Sequence, residues 1–285
     1  MNPQYPVYVI SKGRADRRLT INALTALNVP FTLIVEPQEF DLYAQHVNAN
    51  QIVVTPFSNL GQGSIPARNY VWELALKTGA KRHWIMDDNI AAFNRLNHNL
   101  QIKVTDGTIF RCMEEFADRY TNVAISGPQY DFFAKSRCIH PAFYANTRVY
   151  SCLLIDNSLQ ERWRGRYNED TDLCLRVLKR GLCTVLHYWC TQEKATTMTM
   201  QGGNTSELYA DDGRLKMAKS IAEQHPDVAR VTWKFNRWQH HVDYRKFQNN
   251  LLQFREGFQQ PTEPNEYGMT LVPILHSITE SRRDI

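Results

Sequence analysis

Over the first ninety residues, short apolar runs alternate with segments of helical periodicity, and the runs end in polar clusters. Val7-Tyr8-Val9-Ile10 breaks at Ser11-Lys12-Gly13-Arg14. A helix is expected from about Asp16, read as its cap, with Leu19, Ala23, Leu24 and Leu27 on one face. Residues 31–35 and 51–55 are the next strands, closed by Pro37 and Pro56. A helix over 67–78 follows, with Pro66 in its first turn and Gly79 at its stop. His83-Trp84-Ile85-Met86 is a fourth strand that runs into Asp87-Asp88-Asn89. Alternation of this kind selects an α/β fold, a mostly parallel sheet flanked by helices. Ligands on such sheets sit beyond the carboxyl ends of the strands, where both polar clusters fall.

The rest of the chain is less regular. Residues 108–120 read as helix, and 123–126 and 149–155 as strands. A helix over 171–180 stops at Gly181, and a strand runs from Leu182 to about Trp189. The Thr/Met/Gln/Gly segment closing at Gly202-Gly203-Asn204 reads as a long loop, so the core is assigned to residues 1–204. Residues 205–285 read as a C-terminal extension, helical and packed on the core. With 43% hydrophobic and 22% charged residues, the 285-residue chain can bury a sizeable core, which excludes disordered, collagen-like and coiled-coil classes. No apolar stretch approaches the roughly 18 residues of a membrane span, and Met1–Pro6 lacks a basic, then apolar, leader; a cytoplasmic location is expected. The six cysteines contain no C-x-x-C pair, so buried free thiols are expected rather than a zinc knuckle. A net charge of +4 permits a polyanionic partner.

Three constellations carry chemistry. Asp87-Asp88-Asn89 offers oxygen ligands to a hard divalent cation, and read alone it is also an ordinary polar turn. Glu169-Asp170 opens a helix directly after the basic-aromatic loop Arg162-Trp163-Arg164-Gly165-Arg166-Tyr167. A carboxylate there can act as general base toward a hydroxyl, or simply favour the helix's positive end, with Asp172 paired to Arg176. Arg68-Asn69 stands in the first turn of a helix after a Gly-x-Gly loop, placed for a diphosphate or for an ion pair. Gly61-Gln62-Gly63 fits neither a P-loop nor a dinucleotide fingerprint.

Taken in order, Ser11–Arg14, then Gly-x-Gly-x-x-x-Ala-Arg-Asn over 61–69, the strand into Asp-Asp-Asn, and Asn-Glu-Asp-x-Asp over 168–172 resemble glycosyltransferases of the GT-A, nucleotide-diphosphosugar-binding fold. The resemblance covers roughly residues 7–190. Residues 168–176, the segment TTMTMQGGN over 196–204, and Arg237–Tyr244 are similar to a narrower branch. That branch is the kinetoplastid base J glucosyltransferase and its phage relatives, which glycosylate hydroxymethylated pyrimidines in DNA. The resemblance implies donor contacts from Ser11, Lys12, Gly13, Arg14, Arg68, Asp87 and Asp88, to a nucleotide-diphosphate sugar taken as a UDP-sugar. It implies a divalent metal, Mn²⁺ or Mg²⁺, on Asp87, Asn89 and a histidine, His240 first and His187 in reserve. Asn89 departs from the family's metal-binding aspartate. Asp170 would be the base and Glu169 would hold sugar or acceptor hydroxyls. A phage-encoded member would work in the host cytoplasm.

For a DNA acceptor, Arg162, Trp163, Arg164, Arg166, Arg237 and Trp238 are the candidate contacts. Residues 230–256 interleave six cations with six aromatics against two acidic residues, a footprint of charge for phosphates and rings for bases. The other reading of that stretch is an amphipathic helix with its aromatics in the core. A polysaccharide or glycolipid acceptor, and a non-catalytic nucleic-acid-binding protein, are the competing functions. No membrane and no obligate protein partner are expected.

Overall fold

The computed structural model describes residues 1–138, 140–195, 202–203, 213–259, 262–264 and 268. The apolar runs β1 (Val7–Ile10), β2 (Thr32–Val35), β3 (Ile52–Val54) and β4 (Arg82–Asp87) pair in parallel in the order β3-β2-β1-β4. The ten-stranded sheet continues through β9 (Cys152–Asp156), β7 (Val123–Tyr130), β10 (Cys183–Lys194), β5 (Ile90–Asn97) and β6 (Leu100–Lys103), with β8 (Phe143–Ala145) beside β10. Only β9, β5 and β8 run against the rest, so the sheet is mostly parallel in direction.

Both faces are covered, which the strands' two-residue period explains. Val7, Val9, Leu33, Trp84, Met86 and Leu154 face a layer holding α1 (Leu19–Ala26) and α4 (Thr108–Asp118). Tyr8, Ile10, Ile34, Ile85 and Leu153 face α3 (Ile65–Lys77) and α5 (Glu169–Lys179) on the other side. The short α2 (Phe40–Ala44) adds Tyr43 to the first layer. All six cysteines are free and all but Cys138 are buried. Among the described residues no helix is long and apolar enough to cross a membrane.

Three expectations change and one hairpin is added. Helix α1 starts at Leu19, because Arg18 is left-handed (φ 43°) and residues before it belong to the loop after β1. Strand β10 runs past Trp189 to Lys194, held by β5 on one side and β7 on the other. Residues 90–103 form the β5–β6 hairpin, whose outer strand is fully exposed and carries no burial pattern to read. The extension contributes the helix α6 (Gly213–Gln224), then a hairpin of β11 (Ala229–Lys234) and β12 (Arg237–Val242) in place of further helix. Its two-residue turn, Phe235-Asn236, has both residues at φ 55°, the turn that matches strand twist. Leu175 and Leu178 of α5 pack with Val228 and Phe247, which seats the extension on the core.

Candidate active site at the carboxyl edge of the sheet

Strands β1, β4, β7 and β10 point the same way, so their carboxyl ends share one edge. Ser11 follows β1, Asp87 ends β4, Tyr130 ends β7 and Lys194 ends β10. Ser151, just before the opposed β9, reaches the same edge.

Asp87 is the centre of a charge cluster. Its Oδ1 accepts from Arg68 Nη2 at 2.7 Å and its Oδ2 from Lys194 Nζ at 2.8 Å. Despite burial, Lys194 and then Arg68 hold the Asp87 carboxyl well below the usual carboxylate range. Lys194 also donates to Ser151 Oγ, which lies 2.9 Å from the Tyr130 hydroxyl. Ser151 adopts φ 63°, and from that backbone its N–H reaches Asp170 Oδ2 at 3.0 Å. A non-glycine residue held in this region marks a place where the surroundings fix the backbone.

Arg68 ties the two acidic motifs together. Its buried guanidinium lies 3.5 Å from Glu169 and 3.5 Å from Asp170, and stacks 4.6 Å from the Trp163 ring. Ser64 joins them, donating to Glu169 at 2.9 Å and accepting from Arg68 Nε at 3.2 Å. The neighbouring Asn69 points to the loop instead. Its amide exchanges two 2.9 Å bonds with the Trp163 backbone, and so sets the platform under Arg68. Asp170 Oδ1 and Arg68 Nη1 are both buried without a hydrogen-bond partner. Burial, with Glu169 and Asp87 nearby, pushes the Asp170 carboxyl up to about 7 against the pull of Arg68. A buried carboxyl oxygen that makes no hydrogen bond, on a group with a pKa near neutrality, is equipped to accept a proton.

The loop after β1 forms the second wall. Arg14 and Ser11 bind opposite oxygens of Asp88, the latter at 2.7 Å. Gly13 N–H donates to both oxygens of Glu39, at 2.7 and 2.8 Å, and Lys12 pairs with Glu36 at 3.0 Å. The Gly202-Gly203 pair docks on this loop: Gly203 N–H donates to Lys12 at 2.8 Å and Arg14 Nη2 to Gly202 at 3.2 Å. A Cβ on Gly202 would stand 2.1 Å from the Gly13 carbonyl, so only glycine permits this approach. The remainder of the segment over 196–204 lies outside the described residues.

The acceptor candidates separate. Trp163 is 2% exposed and lies under Arg68, so it offers no face to a base; this corrects its place among the candidate DNA contacts. Arg162 pairs with Glu73 at 3.3 Å and covers Trp72, and Arg164 binds Asp172 at 3.0 Å, so both serve the loop's own structure. Arg166 is exposed beside Tyr167. Arg237 and Trp238 stand on the exposed hairpin, where Trp238 meets Trp233 edge-on at 5.0 Å.

Asp172 is structural. It is fully buried between Arg176 at 2.8 Å, Arg164 and His225 at 2.9 Å, and these partners lower its pKa to about 2 despite the burial. Its stability contribution, about 2 kcal/mol, is present above pH ~4 and lost as pH falls through about 2. Asp172→Ala is expected to destabilise the protein by about 3–5 kcal/mol, read by urea unfolding at pH 7, because it strands His225 and Arg176. A loss below about 1 kcal/mol would show that the ion pairs are dispensable.

The expected metal set does not assemble. Both oxygens of Asp87 are taken by cations, and those of Asp88 by Arg14 and Ser11. Asn89 Oδ1 is buried and unpartnered, a single neutral ligand. His240 lies on β12 opposite Val231, and burial, with Arg148 and then His241 nearby, lowers its pKa to about 4. His187 is buried in β10, bonded to Ser126 at 2.9 Å and Trp189 at 3.0 Å. Among the described residues no three His, Cys, Asp or Glu side chains are grouped to hold a metal ion. A divalent ion on Asp87 would have to share its oxygens with Arg68 and Lys194, which already stand 2.7 and 2.8 Å from them, and like charges that close repel.

Lys194, Ser151 and Tyr130 are site residues that periodicity and motif spacing do not single out. Lys194 ends a strand on a charge as Asp87 does, a signal visible once the strand is followed to its end.

The sequence matches the family model described as TET-associated glycosyltransferase over residues 5–203, most of the chain and every part of the cluster just described. The chain belongs to the TET-associated glycosyltransferase family. The protein is therefore a glycosyltransferase, of a family that implies a nucleotide-sugar donor. No curated protein matches the sequence. Among solved structures, a protein titled putative nucleotide-diphospho-sugar transferase from Desulfovibrio desulfuricans aligns at 10% identity and TM-score 0.37, over 65% of this chain and 79% of that one. A protein titled mannose-1-phosphate geranyltransferase from Thermus thermophilus aligns at 15% and 0.31, over 65% and 58%. A mannose-6-phosphate isomerase from Helicobacter pylori aligns at 8% and 0.30, over 88% and 90%. At such scores none lends its activity or ligand to this TET-associated glycosyltransferase.

Proposed function

We propose that this TET-associated glycosyltransferase moves a sugar from a nucleotide-diphosphate donor, a UDP-sugar in the first instance, onto the hydroxymethyl group of 5-hydroxymethylcytosine or 5-hydroxymethyluracil in DNA. The observation that carries it is the buried Asp170 Oδ1, which makes no hydrogen bond and lies 3.5 Å from Arg68, at the edge where the loops of β1 and β4 end. A neutral hydroxymethyl group is a poor nucleophile, so a carboxylate must take its proton as attack begins. In this reading Asp170 is that base, and Glu169 orients hydroxyls. Ser11–Arg14 and Asp88 line the nucleotide. Lys12 and Gly61 share a narrow recess with Phe57 and Pro66.

The acceptor reading draws on the family name, on the likeness to base J and phage enzymes, and on the hairpin. Trp233, Phe235 and Trp238 are 57%, 73% and 42% exposed, interleaved with Arg230, Lys234 and Arg237. Phe235 is held at positive φ at the very tip, a costly position for an aromatic residue unless the tip has work to do. Rings and cations on a projecting ribbon suit a nucleic acid from which a base must be extruded before reaction.

Intact-mass analysis tests the function: oligonucleotides carrying cytosine, 5-methylcytosine, 5-hydroxymethylcytosine or 5-hydroxymethyluracil, incubated with a panel of nucleotide sugars. A sugar-sized gain on hydroxymethylated strands alone is expected. Donor hydrolysis with no gain on any DNA would redirect the enzyme to a carbohydrate or glycolipid acceptor. Trp238→Ala is expected to weaken DNA binding by about 1–3 kcal/mol while leaving donor binding unchanged, read by fluorescence anisotropy. Unchanged DNA affinity would remove the hairpin from the acceptor site.

A further inference from the structure

The leaving group in a transfer of this kind is a nucleoside diphosphate, and it gains negative charge as the sugar departs. Something cationic must stand beside it. At the carboxyl edge the described cations include Lys12, Arg14, Arg68 and Lys194, of which Lys12 is held at the rim by Glu36 and Asn59. Arg14 serves Asp88, and Arg68 is fully enclosed by carboxylates and Trp163. Lys194 stands at the Asp87 centre and keeps 16% of its side chain exposed, with the ammonium held between Asp87 Oδ2 and Ser151 Oγ and the Tyr130 ring 5.7 Å away. It is a compact, oriented point charge, fixed on three sides.

From this arrangement we infer that Lys194 is the resident cation of the leaving-group subsite, and that it does the work a divalent ion would otherwise do on Asp87. The inference rests on the transferase reading above. In the reaction, the bond between the sugar's anomeric carbon and the β-phosphate oxygen breaks, and its electron pair stays on that oxygen. The acceptor hydroxyl oxygen forms the new bond to the anomeric carbon, and its proton passes to Asp170. The Lys194 ammonium keeps its protons and balances the added charge on the diphosphate. Asp87 holds the ammonium in place and, with Arg68 on its other oxygen, is prevented from rotating away. The departure of Asn89 from an aspartate fits the same picture, since a third acidic ligand is unnecessary where the cation belongs to the chain.

The test uses the full-length chain, first stripped with EDTA. Calorimetric titration with UDP and with inorganic pyrophosphate is run with and without millimolar Mn²⁺ or Mg²⁺, on wild type, Lys194→Met and Lys194→Arg. Donor hydrolysis is followed in parallel. Wild type is expected to bind and turn over in EDTA, with less than threefold change on adding metal. Lys194→Met is expected to lose at least tenfold in diphosphate affinity and at least a hundredfold in turnover, and Lys194→Arg, which keeps the charge, to recover most of the affinity. Thermal midpoints within a few degrees of wild type show that the variants fold; should Lys194→Met fail that check, the wild-type metal dependence and Lys194→Arg decide. Wild-type binding that rises more than tenfold with metal, or that ignores Lys194→Met, overturns the assignment and leaves the transferase reading standing. Absence of UDP and pyrophosphate binding in every condition would overturn both.

Discussion

Asp170→Asn is expected to lower turnover by about 10²–10⁴-fold while leaving the fold intact and donor affinity within a few-fold of wild type. The amide oxygen can still accept the Ser151 N–H that Asp170 Oδ2 accepts at 3.0 Å, so the local backbone keeps its partner. What is lost is the ability to take a proton. In the wild type the carboxyl is pushed up to about 7, chiefly by burial, so turnover should climb with pH and level off above about 7. The same shift has a stability consequence of defined sign. A carboxyl whose pKa is raised on folding binds more protons in the folded state, so this group costs nothing below pH ~4 and destabilises progressively as pH climbs to about 7. Relative to wild type, Asp170→Asn should gain stability as pH rises from about 4 to about 8, by up to about 4 kcal/mol. Kinetics and thermal melts across that range check both halves. Turnover within tenfold of wild type, or a pH-rate profile with no limb near 7, would remove Asp170 from the role of base.

Arg68→Met is the second large effect, and it falls on stability as well as activity. Arg68 is 2% exposed and stands among Asp87, Glu169 and Asp170, so its removal leaves three carboxylates with Lys194 as the nearest remaining countercharge. Breaking a buried ion pair from one side costs about 3–5 kcal/mol, which in a chain of this size lowers the melting midpoint by roughly 10 °C. The deficit should be larger at pH 8 than at pH 5, because Asp170 is protonated at the lower pH and repels less. Arg68→Lys restores charge but neither the fork nor the stack on Trp163, and should recover only part of the loss. An equal deficit at both pH values would mean that packing, and not charge, is what Arg68 supplies.

Much of the framework is legible in the sequence because strand and helix periods are local. Val7 to Ile10, the Pro66 entry and Gly79 exit of α3, and the apolar run into Asp87 all declare themselves within a dozen residues. The pairing of Asp172 with Arg176 is equally local, one helical turn apart, and the structure shows it at 2.8 Å. The hairpin over 229–242 is harder to read. Its aromatics and cations suit either an amphipathic helix or a ribbon, and the choice is made by cross-strand pairs such as Trp233 with Trp238 and by a turn with two positive φ angles.

Local pattern is thus enough for the α/β class, for the two polar clusters at strand ends and for the residue types that a glycosyltransferase needs. How those charges are shared is settled by tertiary packing alone. Arg68 lies 19 residues from Asp87, Lys194 lies 107 residues from it, and each takes one of its oxygens. Trp163 passes from surface to core by the same route, since Asn69 grips its backbone from 94 residues away. Periodicity reports which face of an element is buried, over the span of that element. Which buried charge meets which depends on the order in which strands are laid side by side, and here β1, β4, β7 and β10 bring four distant stretches of chain to one edge.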